Sequence, residues 1–327
     1  MDGTCHWIPF GHLVPTGGIA MTDRGVAPGT AGLRAGGVLS GHVAVVTGAT
    51  KGLGLAIARA FVDSGASVMV ASRRETAVNE IVVALGNDCG DPTRVRGMAV
   101  DVADLAQVEA LGKAAKDWQG HLDIWVNNAG ITAPYGPSMA LDPRSFTSVI
   151  HTNILGTYHG SLIALRYLVP SGQGRLINIL GRGDRQVVPY LATYGASKAW
   201  VRAFTLALAS EYRATGVGIH AFNPGLMRTD FMTQTEAIAG FGAKLRALRV
   251  VLRLIGTDPD VPARTVVWLA SRATDGKTGL DKAVFGRLGL AGHAAREGIA
   301  WLRGKVGPVE LQIREVPASG PSAPVPG

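Results

Sequence analysis

Short apolar runs alternate with longer stretches of helical spacing along most of this chain. Val43–Thr47, Ser67–Ala71, Arg96–Val100, Ile124–Asn127, Arg175–Ile179 and Gly218–Phe222 are brief and largely aliphatic or β-branched, as strands covered on both faces must be. Residues 53–64, 75–85, 105–117, 145–169 and 194–214 lie between them and repeat apolar positions at helical intervals. Such alternation requires right-handed crossovers. It predicts an α/β fold, a doubly wound, mostly parallel sheet with helices on both faces, in a single domain over residues 40–285.

Outside that span the pattern fades. Residues 1–39 are rich in Gly, Pro and Thr and read as a disordered or draped arm, with Met21 as an alternative start. Residues 286–316 hold a helical stretch, 291–303, and then Val309-Glu-Leu-Gln-Ile-Arg314, which alternates apolar and polar like a half-exposed strand. That strand either joins the sheet as an edge or lies beside it. Residues 317–327 are low-complexity and read as a disordered tail.

Composition narrows the classes. The 327 residues are 47% hydrophobic and 17% charged, which suits a chain with a sizeable core. Lys and Arg exceed Asp and Glu by 32 to 24, but the excess is scattered, so a solvated surface is expected and not a nucleic-acid interface. Two cysteines, Cys5 and Cys89, supply neither a disulfide framework nor a metal cluster, so no metal site is expected and a reducing cytoplasm is the simplest setting. No segment reaches the ~18 uninterrupted apolar residues of a membrane span, and the start lacks the pattern of a signal peptide.

Thr47-Gly48-Ala49-Thr50-Lys51-Gly52-Leu53-Gly54 follows the first strand and opens the first helix. Gly48 can turn the chain tightly, and the later glycines let backbone and a pyrophosphate approach closely. The helix N-terminus adds unpaired N–H groups and a favourable dipole. A glycine triplet alone is a weak signal; in this strand–turn–helix setting it predicts a dinucleotide site at Gly48, Thr50, Lys51, Gly52, Leu53 and Gly54. The next strand ends in Ser72-Arg73-Arg74, with no Asp or Glu to hold a ribose 2′-hydroxyl. A carboxylate would repel a 2′-phosphate, whereas Arg73 beside Ser72 accepts it, with Lys51 within reach. NADP(H) is therefore expected ahead of NAD(H), although Arg73 and Arg74 also suit a plain solvated helix start.

Tyr194-Gly-Ala-Ser-Lys198 sets a phenol and an ammonium one helical turn apart. A cation beside a tyrosine favours the phenolate and is expected to lower its pKa, which suits an acid that protonates an alkoxide near neutral pH. The pair has company in Asn127-Asn-Ala-Gly130, Asn153 and Pro224-Gly-Leu-Met-Arg-Thr229. In this order, over about residues 43–279, these motifs resemble the single-domain branch of the short-chain dehydrogenase/reductase family. The resemblance implies a Rossmann fold and hydride transfer between a nicotinamide and a carbonyl or alcohol, with Tyr194 as acid/base. It implies that Asp101 and Val102 meet the adenine, and that Asn128, Ala129 and Gly130 lie beside its ribose. Lys198 would hold the nicotinamide ribose, Asn153 a relay water, and Pro224, Gly225 and Thr229 would face the carboxamide.

One departure matters. The family's usual catalytic serine falls thirteen residues before the tyrosine, at Gly181, and no Ser or Thr occurs from Arg175 to Ala192. Losing one donor to a developing oxyanion typically costs on the order of 100- to 1000-fold in rate. Three readings stay open. Arg182, Asp184, Gln186 or Tyr190 supplies a substitute donor. The substrate needs none, as in enoyl reduction at carbon. Or the protein is weakly active or inactive, a cofactor-binding regulator, against which the retained Tyr194, Lys198 and Asn153 weigh.

The resemblance also places a substrate lid at about residues 230–262. There Phe241, Leu245, Leu248, Leu252 and Ile255 share one helical face, with Lys244, Arg246, Arg249 and Arg253 beside or opposite it. An ordinary amphipathic lid helix is expected, attraction to an anionic or lipid-like substrate or membrane surface being the sharper alternative. The partner is thus a small molecule, apolar or anionic. The stretch 159–170 reads as core or subunit contact, and a homodimer or homotetramer is the expected assembly.

Overall fold

The computed structural model describes residues 37–302 and 310–320. The arm expected over residues 1–36, the tail over 321–327 and the link at 303–309 lie outside the described residues. Strand β1 (Val43–Thr47) is buried throughout and shows how the pattern acts. Its alternate residues divide between two apolar layers: Ala44 and Val46 pack with Ile57 and Phe61 of helix α1 (Gly52–Asp63), Val43 and Val45 with the opposite layer.

The chain continues through β2 (Ser67–Ser72), α2 (Glu75–Asp88), β3 (Val95–Ala99), α3 (Leu105–Gln119), β4 (Ile124–Asn127), α4 (Pro143–Val149), α5 (Gly156–Ser171), β5 (Arg175–Ile179), α6 (Ala192–Glu211) and β6 (Gly218–Asn223). Then follow α7 (Asp230–Thr233), β7 (Gln234–Ile238), α8 (Leu248–Ile255), α9 (Asp260–Ala270), β8 (Asp281–Ala283), α10 (Arg287–Leu302) and β9 (Gln312–Val316). Seven parallel strands form one sheet in the order β3-β2-β1-β4-β5-β6-β8. Helices α1 and α9 cover one face; α3, α5 and part of α6 cover the other. Strand order reverses between β1 and β4, which opens a crevice at their carboxyl ends.

Four segments differ from the sequence pattern. Strand β8 carries no apolar run, because an edge strand paired only with β6 need not be covered on both faces. The helix read over 145–169 is interrupted by a π turn, Ile150–Leu155, that carries Asn153. The lid helix read over 241–255 is broken: Gly240 adopts φ 84°, a 3-10 turn spans Gly242–Leu245, and only α8 is α-helical. Phe241 leaves the shared face and is buried with Ala140 and Ile238.

The terminal strand neither extends the main sheet nor merely lies beside it. β9 pairs in parallel with β7, from Gln234↔Gln312 to Ile238↔Val316, and Arg314 forms an ion pair with Glu236. Arg228, just before Thr229, binds Glu297 of α10 at 3.0 Å. The C-terminal segment therefore straps down the chain that follows β6. Two boundaries move accordingly: Leu39 is fully buried, and Ser319 N donates to Ala140 O at 3.0 Å, so neither belongs to a loose arm or tail.

Candidate active site

The glycine turn uses its three glycines differently. Gly48 (φ 64°) brings the turn against the next loop, where an added Cβ would lie 2.8 Å from Ala129 Cα. A Cβ on Gly54 would lie 2.2 Å from Gly48 O, so this glycine serves helix-on-turn packing. Only Gly52 (φ 55°) faces open space, its nearest neighbour being the Thr229 side chain at 3.7 Å. A pocket of about 300 Å³ opens there, lined by Gly52, Arg59, Arg228 and Thr229 among others, and it does not reach Tyr194. Lys51 makes no side-chain cap and the first turn of α1 carries no acidic residue, which leaves helix N–H groups for an anion. An open glycine and an uncapped helix start fit a pyrophosphate.

The residues around this turn fall into two groups. Asn128 is committed to the protein: its Nδ2 donates to Thr47 O (2.9 Å) and Gly48 O (3.2 Å), while Thr47 Oγ1 accepts from Asn128 N and Ala129 N. Leu53 and Pro224 are buried, and Gly225 takes φ 73°. Asp101 Oδ1 accepts from Ala103 N at 3.0 Å, and Val102 packs against Gly156. By contrast Lys51 and Arg73 are exposed, flanking the point where Thr50 Oγ1 donates to Ser72 Oγ at 3.1 Å.

Helix α6 presents Tyr194 and Lys198. Lys198 Nζ donates to Ile179 O at 3.0 Å and stands 5.8 Å from the centre of the Tyr194 ring. Asn153 is wholly buried; its Oδ1 accepts from Ile131 N (2.9 Å), and its Nδ2 donates to Ile131 O (2.9 Å) and Ser197 Oγ (3.0 Å). Ser197 in turn donates to Tyr194 O at 2.7 Å. The π turn thus aims Asn153 at two partners and locks the loop after β4 to α6. Gly130 closes the group, since a Cβ there would lie 3.5 Å from both Asn153 Oδ1 and Lys198 Nζ.

Electrostatics correct one expectation. The Tyr194 phenol is pushed up and not down, first by burial and then by the Asp184 carboxylate. Burial pushes Lys198 down to about 8, with Asp184 opposing. The ammonium donates a hydrogen bond to Ile179 O and stands over the ring. Removal from water then disfavours the charged form of each group.

At Gly181 the missing side chain leaves room that is used. A Cβ there would lie 2.3 Å from Tyr194 Oη, so the phenol oxygen occupies the place of a side chain at 181. Among the four candidate substitutes, Arg182 and Gln186 are exposed and Asp184 is buried. Tyr190 (φ 64°) turns its ring onto Tyr135 and Phe241, with centroids 5.5 and 5.4 Å away.

Sequence reasoning missed the polar layer beneath this site. Asn127 Nδ2 donates to Asn178 Oδ1 (2.9 Å) and Ser161 Oγ (3.1 Å), and Asn178 Nδ2 donates to Thr205 Oγ1 (2.9 Å). Two asparagines in otherwise largely apolar strands were the available signal. Such a satisfied buried network ties α5 and α6 to β4 and β5 in one arrangement.

Residues 42–238 match the family model described as short chain dehydrogenase. A 3-oxoacyl-(acyl-carrier-protein) reductase of Vibrio harveyi is 33% identical over 71% of this chain and 91% of its own length. A probable chloroplastic chlorophyll(ide) b reductase of Oryza sativa subsp. japonica is 30% identical over 68% of this chain; this chain spans about half of that relative, 46%. Among solved structures, a 3-ketoacyl-(acyl-carrier-protein) reductase of Brucella melitensis complexed with NADH superposes with a TM-score of 0.67 at 27% identity, covering 75% of this chain and 97% of its own.

Proposed function

This chain belongs to the short-chain dehydrogenase family and is an NAD(P)(H)-dependent oxidoreductase of carbonyl or alcohol substrates, and we propose that it works as an NADP(H)-dependent carbonyl reductase with Tyr194 as proton donor. The observation that carries this reading is the partly buried wall where Tyr194, Lys198 and Asn153 meet beside Gly130. When bound, the dinucleotide supplies the hydride. Tyr194, kept protonated by burial, has a proton to give to the alkoxide oxygen at neutral pH. The Lys198 ammonium over the ring lowers the cost of the phenolate left behind, and Asn153 holds the loop and helix in register. A phenol with a raised pKa keeps its proton at neutral pH but is a weaker acid for it, so the Lys198 charge is needed to offset that weakness. NADPH consumption with a panel of ketones and aldehydes tests the reaction; enones in the same panel test the enoyl reading, which draws on the absent donor at Gly181.

The pH profile follows from Lys198. As pH rises through about 8 its ammonium is lost, and with it the stabilisation of the phenolate. Reductive kcat/KM is expected to hold on the acid side of that value and fall on the alkaline side. A profile flat to pH 10 would contradict the role given to the charge.

The phosphorylated cofactor is preferred because exposed Arg73 and Lys51 flank Ser72, with no acid at the end of β2. One charge-assisted contact is worth about tenfold to a hundredfold in affinity. Arg73→Ala is expected to raise the Kd of NADPH by that factor and to leave NADH nearly unchanged; equal losses in a fluorescence titration would remove the argument. The same reading includes a homodimer or homotetramer. It rests on an aromatic face across α5 and α6 where Trp200 stacks on Phe204 at 4.7 Å beside Tyr158, itself 43% exposed.

A further inference from the structure

Two side chains meet the Tyr194 ring, and they differ in exposure. Lys198, 5% exposed, stands 5.8 Å from the ring centre. Phe231 of α7 has its ring centroid 5.9 Å from that of Tyr194, tilted by 48°, and is 37% exposed. The ammonium therefore backs the phenol from the protein interior. The phenyl ring meets it from the solvent side, where a substrate must arrive.

The turn that carries Phe231 is braced on both sides. Met232 N and Thr233 N donate to Thr229 O at 2.8 and 2.9 Å and close it. Before it, Arg228 N donates to Thr257 O at 2.9 Å, and the Arg228 side chain pairs with Glu297. After it, β7 is paired with β9. Thr229, two residues earlier, has its side chain 3.7 Å from the place of a Cβ on Gly52. The segment thus runs from the glycine turn to the phenol and holds an apolar ring there.

A carbonyl that takes the Tyr194 proton lies within hydrogen-bond reach of the phenol. A group one or two carbons from that carbonyl then comes within reach of Phe231. A half-covered aromatic ring gains by burying apolar area, and an aromatic partner adds offset or edge-to-face contact. A carboxylate or phosphate at the same place would lose water and find no donor in a phenyl ring. We infer that Phe231 is a specificity residue that receives an apolar ring next to the reacting carbonyl, so that the substrate class is ketones carrying an aromatic ring one or two carbons away. This deepens the carbonyl-reducing function proposed above and rests on it.

Matched methyl ketones test it on the full-length protein with NADPH. The pairs are phenylacetone and 4-phenyl-2-butanone, each against 2-butanone. For at least one pair, kcat/KM is expected to favour the phenyl-bearing ketone by about tenfold to a hundredfold. Phe231→Ala should cut that preference by about tenfold, and Phe231→Leu, which keeps apolar area without the ring, should cut it less. A ring that only props the phenol would, when removed, lower kcat/KM for both members of a pair alike and leave the ratio intact, which overturns the inference. A ratio near one in the unaltered protein overturns it as well. If no carbonyl compound consumes NADPH, the carbonyl-reductase reading fails and takes this inference with it; turnover with an unmoved ratio defeats only the inference.

Discussion

Tyr194→Phe is expected to lower kcat for NADPH-dependent carbonyl reduction by about 100- to 10,000-fold, the usual worth of a positioned proton donor. The substitution removes one oxygen from a ring whose other contacts survive, including Phe231 at 5.9 Å and the Lys198 ammonium above it. NADPH affinity is expected to stay within a few-fold, because the glycine turn and the residues around Ser72 do not touch the phenol. Single-turnover kinetics with a saturating ketone, alongside a fluorescence titration of NADPH, separates chemistry from binding. Retained turnover in this variant would end the acid role of Tyr194.

Gly181→Ser adds a side chain beside the phenol, and it is expected to lose activity. The new Cβ would stand 2.3 Å from Tyr194 Oη and 3.6 Å from Lys198 Cε. One of these side chains must move, and displacing a reacting group by about 1 Å can cost on the order of 100-fold. Gly181→Ala carries the same Cβ without a hydroxyl and is expected to lose as much. The comparison of the two variants is decisive: equal losses mean crowding of the phenol, whereas a gain confined to serine would mean that a donor at 181 is what the site lacks. Far-ultraviolet circular dichroism and thermal melts of both variants guard against a folding defect as the cause.

Much of the cofactor half was legible because its signals are local. Val43–Thr47, Ile124–Asn127 and Arg175–Ile179 are strands with the bounds their apolar runs suggest. Gly48 and Gly52 sit at positive φ, as a tight turn requires. The spacing of Tyr194 and Lys198 places both on one helix, and α6 carries them as one group. The lid was harder, because glycines at 240 and 242 outweigh the helical spacing of the leucines that follow. Strand β8 was illegible for a related reason: its three residues gain their structure from pairing with β6 and from no pattern of their own.

The sequence by itself determined the alternating framework, the glycine turn and the placing of Tyr194 and Lys198 on one helix, since strand period, glycine conformation and helical spacing act over a few residues. Tertiary structure alone decided the rest. It joined β9 to β7 across more than seventy residues of chain, and it opened the π turn that turns Asn153 toward Ile131 and Ser197. It also reversed the expected shift of Tyr194, because proximity of a cation is readable from spacing but removal from water is not. Gly181 shows the division most clearly: the chain records an absent side chain, and only the packed protein shows the phenol oxygen standing in its place.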